Sequence, residues 1–232
     1  MPSALFVVSE EGYWGEECVE PLQTLDDEGF DVTVATPSGS PPVIDPTSTD
    51  PDAPFVDEET AERVTEVHEN DERLNDPVAV ATQDAADYDV AVFPGGHGTE
   101  WDVNQDTHAR QLLRETLSGD DGKAMVVCHA VALLAFARDE DGEPIAADRN
   151  VTGFPNEWDE DIVDDNDVLP DGRKMPYWVE DEVRAAGANW DAEVDSDASV
   201  TVDGDLVTAR GPESSREGAR TLLDELGVET SA

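Results

Sequence analysis

Three short apolar runs, Leu5–Val8, Val90–Phe93 and Ala124–Val127, each break off into a loop rich in small or polar residues. Short apolar runs bounded by turn signals read as strands buried on both faces. Segments of helical period lie between them. Residues 17–28 set Cys18, Leu22 and Leu25 on one face and stop at Gly29, and residues 104–117 align Leu112, Leu113 and Leu117. Residues 31–35 read as a further strand. Strands alternating with helices predict an α/β chain built on a mostly parallel sheet covered on both faces. In such sheets ligands bind beyond the carboxyl ends of the strands. The loops after Val8, Phe93 and Val127 should therefore converge at one edge.

Each of these loops carries different chemistry. The third opens with Cys128-His129 and runs into Ala130–Ala137, which reads as a strand, a sharp turn and a helix. α/β enzymes place nucleophiles on that turn. A thiol there also lies near a helix N-terminus, whose positive end favours the thiolate. A buried structural cysteine is the plain alternative. The first loop brings Glu16 and Glu17. The second brings Gly95-Gly96, whose backbone can approach a substrate closely and aim N–H groups at a developing oxyanion; a tight turn without a ligand is its alternative. His97, in the same loop, either lines the pocket or supports it.

The positions of the histidines exclude two enzyme classes. They are His68, His97, His108 and His129, so none follows residue 129. A glutaminase with a histidine far downstream of its cysteine, and a papain-like order, are both ruled out. His68 lies in a charged segment and reads as solvated; His108 is given no role. No His-x-x-x-His, Cys-x-x-Cys, G-x-G-x-x-G or Walker spacing is present, so no metal ligand and no cofactor is named.

Asp and Glu number 57 against 13 Lys and Arg, a net charge of −44. The acids are interleaved with the apolar runs, which argues for a folded core under an acidic coat. Molar salt shortens the Debye length to roughly 3 Å and screens the self-repulsion. The composition resembles that of cytoplasmic proteins from salt-accumulating halophiles. Nucleic acid and anionic membranes are excluded as partners on charge. Two distant cysteines and no long apolar segment point to a reducing cytoplasm.

The remaining chain reads as one domain over residues 1–232. Residues 36–54 form a long loop, and 57–75 are partly helical. A helix is expected at 179–186. Strands are expected at 199–202 and 206–208 around Asp203-Gly204-Asp205, and a last helix at 214–226.

Several motifs together resemble the DJ-1/PfpI superfamily, most closely its Hsp31-like branch with glutathione-independent glyoxalase III enzymes. They are F-P-G-G-H-G at 93–98, V-V-C-H-A at 126–130 and V-T-G-F at 151–154, with G-Y-W-G-E-E-C-V-E-P at 12–21. A-T-P-S-G at 35–39, I-D-P-T-S at 44–48 and V-D-G-D-L-V-T-A-R-G-P-E-S-S at 202–215 extend the match through nearly the whole chain. The resemblance implies a flavodoxin-like three-layer sandwich with a nucleophile elbow, and a homodimer. It implies Cys128 as nucleophile, a protonated Glu17 beside it, and His129. A second acid is implied after Phe154; it falls most nearly on Asp159, with Glu157 and Glu160 as alternatives. The implied activity is conversion of methylglyoxal or a related 2-oxoaldehyde to a 2-hydroxy acid, without glutathione or metal. A thiol hydrolase or deglycase, and a holdase chaperone or redox sensor, are the alternatives.

Overall fold

In this computed structural model residues 1–119, 122–191 and 199–228 are described. The chain opens with β1 (Ser3–Val7), α1 (Gly15–Asp27), β2 (Asp31–Thr36), α2 (Glu58–Asn70), α3 (Glu72–Asn75) and β3 (Val78–Ala79). β4 (Val90–Phe93), α4 (Thr107–Ser118), β5 (Lys123–Val127) and α5 (Leu133–Phe136) follow. The last third holds β6 (Asn150–Val151), α6 (Asn156–Glu160), α7 (Val179–Ala185), β7 (Asn189–Trp190), β8 (Val200–Asp203), β9 (Leu206–Ala209) and α8 (Ser215–Glu225).

Seven strands form one sheet in the order β3-β2-β1-β4-β5-β9-β8. All neighbours are parallel except the β8–β9 hairpin at the edge. The central five strands follow the flavodoxin-like order, with the chain reversing direction across the sheet between β1 and β4. Alternate residues of each strand feed opposite faces, as the two-residue period of a strand requires. Leu5, Val7, Ala91, Phe93, Ala124 and Val126 pack with Leu112 and Leu113 of α4 and Val179 and Val183 of α7. Phe6, Val90, Val92, Met125 and Val127 pack with Cys18, Leu22 and Leu25 of α1 and Leu222 and Leu223 of α8. These are the two helical layers of a three-layer α/β sandwich.

Several expectations are corrected. The helix placed at 104–117 begins at Thr107, because Asp106 caps it by accepting from the His108 and Ala109 N–H groups. The helix expected straight after Cys128 is a 3₁₀ turn over Cys128–Ala132 followed by four α-helical residues. A short β3 lies at the sheet edge, and β6 and β7 pair as a separate two-stranded parallel sheet. These two-residue strands carry no periodicity that a sequence reading can detect. The loop at 36–54 contains a 3₁₀ turn at Pro46–Thr49, capped by Asp45.

Candidate active site

The site forms where the chain reverses between β1 and β4. The loops there are stitched together by backbone hydrogen bonds: Trp14 N–H donates to the Gly95 carbonyl at 3.0 Å, and Gly98 N–H to that of Gly12 at 3.0 Å. Gly95 and Gly96 are required by packing. A Cβ on Gly95 would stand 2.7 Å from both the Cys128 Cβ and the Glu17 Oε2. Gly96 has φ +101°, and its Cβ would fall 2.4 Å from the Trp14 nitrogen. Neither contact is physically tolerable, so the glycine pair is what lets this loop close on the thiol.

Cys128 has φ +56°, a left-handed conformation that costs a non-glycine residue energy and clusters at functional sites. The thiol is buried at the end of β5. Its Sγ lies 3.1 Å from His129 Nδ1. His129 Nε2 lies 3.2 Å from Asp159 Oδ1, and His97 Nε2 lies 3.1 Å from the same oxygen. The His97 and His129 rings stand 4.1 Å apart. On the other side is Glu17, wholly buried in the first turn of α1, whose Oε2 accepts from Gly95 N–H at 3.0 Å. Asn104 donates to the His129 carbonyl at 2.9 Å and steadies the turn.

Burial and charge tune these groups differently. Burial pushes the Glu17 carboxyl up to about 8, against hydrogen bonds with Cys128 and Gly95. Glu17 is therefore protonated at neutral pH. Burial pushes the Cys128 thiol well above its ordinary value, aided by the adjoining Glu17 carboxyl and opposed by the Gly96 and His129 backbone N–H groups. The element after Cys128 is a short 3₁₀ turn, so the helix end expected to favour the thiolate is not formed there. Burial and the neighbouring His97 depress His129, while Asp159 opposes both. Burial alone would raise Asp159, but His129 and His97 hold it at about 2.

Of the three acids after Phe154, Asp159 points inward and is fully buried, while Glu157 and Glu160 are exposed. Glu16 is half-buried in the same helix turn and makes no contact with the thiol in this arrangement. His68 is not simply solvated: it is half-buried, with Nδ1 2.8 Å from the Tyr13 hydroxyl. His108 is exposed. A cavity of about 270 Å³ opens onto Cys128, His129, His97, Gly96 and Glu17. Trp14, Phe55, Phe154, Ile162 and Leu169 line its apolar wall, and Asp45, Asp161, Asp171 and Arg173 line the remainder. Trp158 packs edge-on against Phe154 and tilted against Phe55. Tyr177 packs away from the cavity, edge-on against Phe136. Phe55 and Arg173 went unnoticed in the sequence because they sit in irregular segments without periodicity. Buried Glu100, three residues after His97, was also missed.

A thiol, an imidazole aligned by a carboxylate, a protonated carboxylic acid and backbone donors surround one sulfur. The profile of the DJ-1/PfpI family matches residues 2–225. The chain belongs to the DJ-1/PfpI family. Solved structures agree with the fold. A crystal structure named only by a code is 28% identical, covering 97% of this chain and 98% of its own, with a TM-score of 0.81. Glyoxalase III from Candida albicans is 22% identical, covers 97% of each chain and has a TM-score of 0.80. Rapid Encystment Protein 24 KDa from Francisella tularensis is 22% identical over 97% of this chain and 99% of its own, with a TM-score of 0.79. Among curated protein sequences none matches. No helix of the described residues is long and apolar enough to cross a membrane.

Proposed function

We propose that this family member is a glutathione-independent glyoxalase that converts methylglyoxal or a related 2-oxoaldehyde to a 2-hydroxy acid. The observation that carries the reading is the chain from Cys128 Sγ through His129 to Asp159, with protonated Glu17 beside the same thiol. The similarity to glyoxalase III from Candida albicans supports it at the level of fold.

The chemistry divides between the two proton carriers. Cys128 adds to the aldehyde carbon as His129 Nδ1 takes the thiol proton and returns it to the new hydroxyl. Backbone N–H groups of Gly96 and His129 steady the developing oxyanion. His129 then removes the C1 proton of the hemithioacetal while Glu17 protonates the C2 oxygen, giving an enediol. His129 delivers its proton to C2, and Glu17 recovers one from the C1 hydroxyl. The product is a thioester of Cys128, which water hydrolyses to the 2-hydroxy acid and free thiol. Asp159 holds His129 with its Nε2–H tautomer, which keeps the Nδ1 lone pair facing the sulfur.

The test is methylglyoxal consumption and lactate release in molar KCl. Turnover that disappears in Cys128→Ala supports the reading; no turnover, or full turnover in the variant, refutes it. One observation favours a second reading. Asp45, Asp161 and Asp171 at the cavity would suit a cationic amine, as a deglycase substrate requires. Release of amine from preformed adducts, with free aldehyde scavenged, would favour that activity.

A further inference from the structure

We propose that His97, His129 and Asp159 form a divalent metal site, and that Zn²⁺ bound there switches the thiol site off. No ligand spacing in the sequence announces this site; three separate elements bring its donors together. The donor atoms lie within 4.8 Å of one another, and all three residues are buried. Both histidine Nε2 atoms already stand near the edge length of a zinc tetrahedron from Asp159 Oδ1, at 3.1 and 3.2 Å. Ligands about 2.0–2.1 Å from Zn²⁺ at tetrahedral angles are about 3.3 Å apart. Seating the ion therefore requires the two rings to close on each other from a donor separation of at most 4.8 Å, while the distances to Asp159 change little. Two imidazoles and one carboxylate suit zinc and its neighbours, and they leave a fourth position for water. His97 and His129 line the cavity, which supplies the entry path.

Glu100 is a second, independent observation that points to a cation at this place. It ends the 3₁₀ turn His97–Glu100, in which residues three apart share a face. It is 1% exposed, and neither carboxyl oxygen has a hydrogen-bond partner among the described residues. Asp159 is its leading charged neighbour. A buried carboxyl with neither oxygen hydrogen-bonded, in the field of Asp159 and only partly offset by Arg173, is costly in a folded interior. A dication held on Asp159 would supply compensating charge. Glu100 would then support the site from its second layer, without ligating the metal directly.

The consequence for the thiol follows from tautomers. A metal on His129 Nε2 forces the ring proton onto Nδ1. Nδ1 then has no lone pair for the Cys128 proton, and His129 cannot carry a proton between substrate carbons. The inhibitory half of this proposal rests on the function proposed above; the binding half does not.

The experiment separates the two halves. Zn²⁺ is titrated calorimetrically into Cys128→Ala, in which no thiol can act as a ligand. One ion per chain is expected, with binding weakened at least about tenfold in the double variant that adds His97→Ala, and about 10–100-fold with Glu100→Gln. Histidine ¹⁵N NMR of Cys128→Ala, in which both rings are unsubstituted, should show coordination shifts at Nε2 of His97 and His129. This arm does not depend on His97→Ala folding well. In the wild type, Zn²⁺ should abolish methylglyoxal turnover and a chelator should restore it. No binding to Cys128→Ala, binding indifferent to His97→Ala, or shifts confined to Nδ1 would overturn the site. Full turnover by the zinc-loaded protein would overturn the switch. If methylglyoxal proves not to be a substrate, calorimetry and NMR still decide the site.

Discussion

Replacing Glu17 with Gln should make this protein less active, and should shift its stability relative to the wild type from a loss near pH 5 to a gain above pH 8 in a calculable way. Glu17 is wholly buried, and its carboxyl is pushed up to about 8 from an ordinary value of 4.5. Between those two values the unfolded chain has lost the proton and the folded chain keeps it. Folding stability then falls by about 1.4 kcal/mol per pH unit across that window. The accumulated penalty is below about 1 kcal/mol at pH 5, about 3 kcal/mol at pH 7 and about 5 kcal/mol above pH 8. Gln cannot ionise and escapes all of it. Its amide oxygen can still accept from Gly95 N–H, while its NH₂ takes the place of Oε1, which has no hydrogen-bond partner. That unpaired donor imposes a constant offset of about 1–3 kcal/mol that does not vary with pH. Denaturant unfolding of wild type and Glu17→Gln, in the same molar KCl from pH 5 to 8.5, isolates the term because the other acids cancel in the difference. The difference should climb in favour of the variant and level off near pH 8. At the same time kcat for methylglyoxal should fall about 10²–10⁴-fold, since Gln carries no proton to the C2 oxygen. A difference that stays flat with pH would mean that Glu17 is ionised in the fold, and would refute the role given to it.

Asp159→Asn should leave the fold intact and lower kcat about 10²–10⁴-fold, because an amide no longer fixes the His129 tautomer; steady-state kinetics with unchanged circular dichroism checks it. Gly95→Ala should destabilise the chain by at least about 1–3 kcal/mol and abolish thiol chemistry, since its Cβ meets Cys128 and Glu17 at 2.7 Å; denaturant midpoints and iodoacetamide labelling read the two effects. Dilution from molar to 0.1 M KCl lengthens the Debye length from about 3 to about 10 Å and should lower Tm, as calorimetric scans at both salts would show. An unchanged Tm would separate the −44 charge from stability.

Much of the sheet was legible because its strands are continuous apolar runs and its first helix keeps Cys18, Leu22 and Leu25 on one face. The loops that carry the chemistry were legible for the same reason: where a run breaks is where a strand ends. Glu17 was separable from Glu16 only through resemblance, since both occupy the first turn of α1. Asp159 could be bracketed but not chosen, because a five-residue helix is too short for its period to say which acid faces inward. Phe55, Glu100 and Arg173 were out of reach. Their neighbours lie far away in sequence, and irregular backbone sets their directions. Desolvation of the thiol was also illegible, because burial belongs to the assembled fold and the helix-end argument considers only the local turn.

Asp159 is carried by a segment that stands outside the main sheet. Residues 150–191 leave the sheet after α5 and hold themselves together through the β6–β7 pair, with Thr152 N–H donating to Thr208 Oγ1 of β9 at 3.0 Å. The nucleophile and its glycine loop follow strands of the main sheet, whereas the residue that orients His129 arrives on a segment outside that sheet, packed against it through Val179 and Val183. For the protein engineer the same division is an opportunity. Grafting residues 150–191 between relatives would carry the acid with it, but would also exchange Val151, Val179, Val183 and Trp190, so the core beneath would have to be matched as well.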